Sequence, residues 1–285
     1  MSPREHYSEY DEVTTARCER ALVTLLGEIG PWSERIYLAG GLAPRYIVGE
    51  LPEGARAHVG TTDIDVVIGL VLGDAAPETY RTLENNLKKA QFRAENSFRW
   101  KRDVDGVKVQ VEFLCETNRV NPGHIFKPKG EGAGSGLGAF NVRGAQLVTQ
   151  DYLEREIEAE RLDDGGMSRV KVRVANLFSC TVLKIFAFQD RHENKDAYDL
   201  IFCLLHFGAG PDEAATEAVK SPIARREQVA EALTLLRERF ADVAQDGPIG
   251  YASFLAEVGD DEATARLRRQ AVATVEEFLA RMGGK

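Results

Sequence analysis

Polar and apolar positions change period several times along the chain, and each change predicts a new element. From Tyr10 to Ile29 apolar residues recur at helical spacing (Ala16, Ala21, Leu22, Leu25, Leu26, Ile29), which predicts an amphipathic helix. Arg35 to Ala39 then reads as a strand, and Leu42 to Gly49 as a short helix opening at the pair Gly40-Gly41. Asp63 to Leu72 is an almost unbroken apolar run behind two carboxylates, the pattern of a strand covered on both faces. Pro77 and the Tyr80, Leu83, Leu87 spacing predict a helix to about Ala90. Phe98 to Val104 and Val107 to Leu114 flank Asp105-Gly106, the turn signal of a hairpin. In its second strand Val107, Val109, Val111 and Phe113 share one face, and Lys108, Gln110 and Glu112 the other. Ala139 to Val148 and Val170 to Ala175 read as strands on either side of a charged helix, Tyr152 to Leu162. From Asn176 onward the period is helical, with breaks at Gly208-Ala209-Gly210, Asp246-Gly247-Pro248 and Gly259. The expected fold class is therefore a mixed α/β domain over residues 1–175, followed by an all-α helical domain over 176–285.

Composition narrows the setting. At 285 residues and 44% hydrophobic, the chain can bury a large core. No apolar run reaches the roughly 18 residues of a membrane span, and the polar start Met1–His6 lacks a signal-peptide core. Cys18, Cys115, Cys180 and Cys203 form no C-x-x-C and sit in apolar segments, which suits reduced, buried thiols in a cytoplasmic protein. A net charge of −9 argues against an overall electrostatic nucleic-acid binder but leaves room for a local basic groove.

Asp63 and Asp65 bear most directly on chemistry. Two apart on a strand, they point the same way, and two adjacent negative charges call for a cation between them. A glycine turn followed by a strand carrying D-x-D is the layout of metal-dependent nucleotidyl transfer. On that reading Asp63 and Asp65 are ligands of a pair of Mg²⁺ ions (or Mn²⁺) that hold the triphosphate, with Glu112 completing the set from the polar face of its strand. Gly40 and Gly41 would let the phosphates of an NTP approach the backbone, with Thr61 and Thr62 adding hydroxyl contacts. A second cluster lies in the helical part. Lys184 and Arg191 share a helix face, Asn194 can cap the next helix, and Asp196 and Asp199 follow in its first turns. It reads either as cations and acids turned toward the triphosphate or as an ion-pair lattice between two helices. The segment Gly130 to Gly138 carries no G-K-[ST] and reads as a loop, in its functional version a lid.

The order G-G, T-x-D-x-D, then K-x6-R-x3-K-D-x2-D on a later apolar helix resembles the abortive-infection nucleotidyltransferase toxins of the AbiEii group, within the polymerase-β-like nucleotidyltransferase superfamily. The resemblance covers residues 36–205 and implies a nucleotidyltransferase-like fold. It also implies that Asp63 and Asp65 bind metal, Lys184 contacts nucleotide phosphates, and Asp196 or Asp199 belongs to the site. It further implies an RNA (tRNA) or protein acceptor and a cognate antitoxin. The chain departs from the family at Leu42, where Ser or Thr is usual, and at Val59, where Arg is frequent.

Three other features carry weaker readings. Lys88, Lys89, Arg93, Arg99, Lys101 and Arg102 interleave with Phe92, Phe98 and Trp100, either as a nucleic-acid surface or as a solvated face over core aromatics. Arg266, Arg268 and Arg269 read as a solvated helix face, and His58 and His124 as isolated loop histidines able to exchange protons. Two competing functions stand beside transfer to RNA or protein. One is a small-molecule nucleotidyltransferase; the other is a non-catalytic nucleotide binder, favoured by Leu42 and Val59.

Overall fold

Asp105 and Gly106 both adopt positive φ, 53° and 77°, the backbone that a two-residue hairpin turn requires. The turn joins β4 (Arg99–Val104) to β5 (Val107–Cys115). Val104 faces Val107, so every later pair is fixed, Arg99 opposite Glu112 included. The structure is a computed structural model describing residues 5–68, 77–128 and 136–283. The protein is mixed α/β, 50% helical, with an open mixed sheet. No helix among the described residues is long and apolar enough to cross a membrane.

The chain forms two compact units, each assembled from separated segments. Residues Glu12–Leu42 and Thr61–Val174 make the sheet unit. Met1–Asp11, Ala43–Gly60 and Ala175–Lys285 make the helical unit. Two stretches of the N-terminal half therefore group with the C-terminal helices.

In the sheet unit, β1 (Ile36–Ala39) lies antiparallel to β2 (Asp63–Ile68), and β2 runs parallel to β5. β3 (Arg93–Ala94) pairs with β4 at one edge. β8 (Tyr152–Glu160) and β9 (Met167–Ala175) form a hairpin at the other, β9 being parallel to β1. Two short strands, β6 (Ile125–Phe126) and β7 (Ala139–Asn141), extend the far end of β5. Alternation gives the sheet two unlike faces. Leu38, Ile64, Val66, Trp100, Val111 and Phe113 are buried on one, against which α1 (Glu12–Glu28) packs. Asp63, Asp65, Gln110, Glu112, Arg99 and Lys101 occupy the other. Val66 and Val67 are buried on opposite faces, as a doubly covered strand demands. α3 (Pro77–Lys89) follows the predicted spacing, whereas α1 turns Cys18 inward and leaves Ala16 exposed.

Three sequence-based expectations are corrected here. Tyr152 to Glu160 is a strand, not a helix. Glu154, Glu156 and Glu158 alternate with Leu153, Ile157 and Ala159, and the period of two outweighs the helix preference of glutamate. The acidic row is matched on β9 by Arg169 and Arg173, which ion-pair with Glu156, Glu158 and Glu154. Val148 does not continue the strand that begins at Ala139; Ala145–Val148 is a helical turn, α4, entered through Gly144 at φ 84°. Asp246-Gly247-Pro248 opens a helix instead of breaking one, since proline is tolerated in a first turn that has no hydrogen bond to lose. Residues 69–76, the end of the predicted apolar strand, lie outside the described residues, as do 129–135, most of the glycine-rich segment.

The helical unit centres on α5 (Leu177–Arg191) and α6 (Asn194–His206), both buried over most of their lengths. The short α2 (Pro44–Val48), α9 (Asp246–Leu255) and α10 (Asp261–Met282) pack on α6. α7 (Pro211–Lys220) and α8 (Glu227–Arg239) pack on α5. All four cysteines are buried, and none of them is in a disulfide.

Candidate functional site

Strand register builds a polar row across the sheet. Ala39, Asp65, Glu112 and Arg99 stand side by side on β1, β2, β5 and β4, and the next row contains Asp63, Gln110 and Lys101. Register partners share a face, so Asp63, Asp65 and Glu112 project from the same surface, as their alternation predicts.

Gly40 sits against this row. Its φ is +63°, and a side chain there would overlap the Asp65 carboxylate, with a Cβ only 2.6 Å from Asp65 Cβ and Cγ. The glycine is required twice, for its backbone and for its bareness. Gly40, Gly41 and Leu42 form a buried 3-10 turn, and the α-helix begins only at Pro44. The expected helix opening at the glycine pair thus starts later and is just five residues long. Thr61 braces Asp63: its hydroxyl donates to Asp63 Oδ1 at 2.8 Å, and the residue is 2% exposed. Thr62 is half-buried.

Glu112 is engaged within its own sheet. Its Oε1 accepts from Arg99 Nε at 2.7 Å and from Gln110 Nε2 at 2.5 Å. Among the described residues no three Asp, Glu, His or Cys side chains converge closely enough to hold a metal ion.

The second cluster lies wholly in the helical unit. Lys184 is 4% exposed, and its ammonium is 3.1 Å from Asp196 Oδ1 and 2.6 Å from Asp199 Oδ2. Arg191 grips Asp196 with two nitrogens, at 2.6 and 2.8 Å, and Lys195 reaches Asp199 at 2.9 Å. Burial opposes every charge here, yet Asp199 and Asp196 hold the Lys184 ammonium above its ordinary range. Against the same burial, the cations hold both carboxyls below theirs. These residues form an ion-pair lattice joining α5 and α6. Asp196 is in the first turn of α6 as predicted, but the N-cap is Glu193 and Asn194 is the first helical residue.

His58 completes the lattice. The imidazole accepts from the Gly60 N–H at Nδ1 (3.0 Å), which leaves its proton on Nε2, 2.8 Å from Asp199 Oδ1. It stacks on Tyr198 and meets Phe202 edge-on. Burial pushes its pKa down to about 4, against the pull of Asp199. His58 is therefore a neutral, structural partner, not an isolated loop histidine. Its partner stands 141 positions away, a distance over which sequence alone gives no signal. By contrast, the Arg99–Glu112 pair was encoded locally, since a two-residue turn at 105–106 sets 99 opposite 112.

The basic and aromatic segment resolves into core and rim. Phe92, Phe98 and Trp100 are buried, and Arg102, 5% exposed, donates to Ala90 O. The rings are thus unavailable for stacking on bases. His124 contacts Pro122 O in an exposed turn. Comparison with protein-family models and with curated proteins found no match to this chain.

Proposed function

We propose that the protein is a nucleotidyltransferase that moves a nucleoside monophosphate from an NTP to an acceptor with a divalent cation, Mg²⁺ or Mn²⁺. The observation that carries the reading is Gly40 pressed against Asp65 in a row that continues to Glu112. A tight glycine turn, a D-x-D strand and a third carboxylate in register together suit an exposed triphosphate. The donors fit a hard cation in part. Asp63 and Asp65 offer two carboxylates, and Mg²⁺ commonly takes one or two with substrate phosphates and water. A closed cage of three carboxylates is not formed, because Arg99 and Gln110 hold Glu112.

When bound, the cation would offset phosphate charge and lower the cost of deprotonating the acceptor. The chain's own part is to orient. Thr61 fixes Asp63, and Gly40 sets how closely the backbone approaches Asp65. Leu42 is fully buried, so the position after the glycines offers no hydroxyl to a phosphate. That observation favours the second reading, a nucleotide binder without turnover. Through the family resemblance the first reading extends to an RNA (tRNA) or protein acceptor and a cognate antitoxin.

The deciding experiment incubates each labelled NTP and Mg²⁺ with total tRNA or lysate. Label on RNA or protein, lost in Asp63→Ala and Asp65→Ala, is the expected outcome. Label on a small molecule selects the small-molecule acceptor. Mg-NTP binding without pyrophosphate release selects the non-catalytic reading.

A further inference from the structure

The sheet ends in two unlike edges. β3 contributes two residues, whereas β8 runs for nine, Tyr152 to Glu160, without a proline. Among the described residues no strand pairs with the outer side of β8. A long edge of this kind presents a row of main-chain donors and acceptors, a template for a further strand. Its two faces say which strand. Glu154, Glu156, Glu158 and Glu160 line one; Leu153, Ile157 and Ala159, with Arg155 among them, line the other. β9 already shows the complement. Arg169 and Arg173 ion-pair with these glutamates, and Val172 and Val174 are buried on the opposite side. That one row of cations leaves the side chains of Glu154 and Glu156 58% exposed and that of Glu158 48%. The glutamates keep room for a second row.

We propose that the outer edge of β8 takes a strand of a partner protein in which Arg or Lys alternates with β-branched residues, the pattern of β9 itself. The inference is independent of the nucleotidyl-transfer reading and uses no metal. A second copy of the chain is not the occupant. Antiparallel pairing of β8 with its own copy sets glutamate against glutamate, and like charges directly opposite are destabilising. The acidic row thus keeps copies of the edge apart and attracts a basic strand. The same row repels the phosphates of a nucleic acid. Main-chain hydrogen bonds supply affinity in such an addition, and the alternation of side chains supplies specificity.

The probe is a capped, fluorescently labelled peptide with the β9 sequence, Met167–Ala175, titrated onto the intact protein by anisotropy. It should bind saturably, and amide hydrogen exchange should slow on β8 without quickening on β9. The double variant Glu154→Lys, Glu156→Lys gives up two loose pairs, at 3.7 and 3.8 Å, and should stay folded. It should bind the peptide about tenfold more weakly. A peptide carrying Arg169→Glu, Lys171→Glu and Arg173→Glu should fail on the wild type and bind that variant. Methylating the main-chain nitrogens of alternate residues should abolish binding for one of the two sets and spare the other, since only one edge of the peptide meets β8. Equal effects of the two sets, or no rescue by the charge swap, reduce the contact to diffuse attraction and overturn the inference. No binding overturns it, as does exchange that quickens on β9 because the peptide replaces that strand. A dimer in sedimentation whose formation protects β8 makes a second copy the occupant and overturns it as well. Thermal melting of the double variant confirms that the protein measured is folded.

Discussion

A methyl group at position 40 would lie 2.6 Å from Asp65 Cβ and overlap its carboxylate, at a backbone φ of +63°. Gly40→Ala should accordingly cost about 1–2 kcal/mol for the left-handed backbone and about 1–3 kcal/mol more for overpacking. Differential scanning calorimetry checks this, and a melting temperature within a degree of wild type would sink the argument. His58 gives a second residue-scale prediction. In the unfolded chain it gains a proton near pH 6.5, but folded it stays neutral until about pH 4. Its contribution is full above 6.5 and falls away as pH drops toward 4, by about 3 kcal/mol in all. Asp196 and Asp199, held below the ordinary carboxylate value of 3.8, add their losses only at lower pH. Urea midpoints across this range should fall steeply for wild type and much less for His58→Gln; parallel slopes would refute the assignment. The two acids of D-x-D and their common face were legible in the sequence, because alternation along a strand is a local rule. The His58–Asp199 bond was not, since it depends on how two distant segments meet.

At the scale of elements, a short period was readable wherever it was uninterrupted. The 99–112 hairpin, α1, α3 and the α5–α6 pair follow from spacing and a turn signal. The helix expected at Tyr152–Leu162 failed because four glutamates suggested helix while their spacing of two already spelled a strand. Partner residues on β9 decide such a case, and they lie beyond a local window. The lattice between α5 and α6 was anticipated as one of two alternatives, and its geometry favours support of the fold. The Lys184 ammonium meets two buried carboxylates, those of Asp196 and Asp199. Lys184→Met should cost about 3–5 kcal/mol by stranding them. Arg191→Ala, whose side chain is 51% exposed, should cost about 1 kcal/mol or less. Turnover measured well below the melting transition separates support from chemistry. Wild-type stability with abolished turnover in Lys184→Met would return Lys184 to the phosphates.

For the molecule as a whole, the discontinuity of the units has the largest consequence. A cut at residue 175 looks natural from the sequence, where strand periods give way to helical ones. Yet the helical unit draws on two earlier segments. Tyr7 packs edge-on against Tyr198 and Phe254, and its hydroxyl donates to Ala57 O. The Val59 N–H donates to the Tyr198 hydroxyl, and His58 bonds Asp199. Ile47 and Val48 are 2% and 9% exposed on α2, which packs on α6. Those two aliphatic side chains alone carry about 3–6 kcal/mol of burial, a large part of the roughly 5–15 kcal/mol that a domain holds in total. Removing His58 also leaves Asp199 buried with one hydrogen bond fewer. A fragment of residues 175–285 should therefore keep helical far-UV circular dichroism but lose near-UV signal and cooperative melting. The same helices within the full chain should melt cooperatively. Supplying the 43–60 segment in trans, as a peptide, should restore part of the near-UV signal, and His58→Gln in that peptide should reduce the recovery. A fragment that melts as sharply as the intact protein would show that α5 to α10 need neither earlier segment.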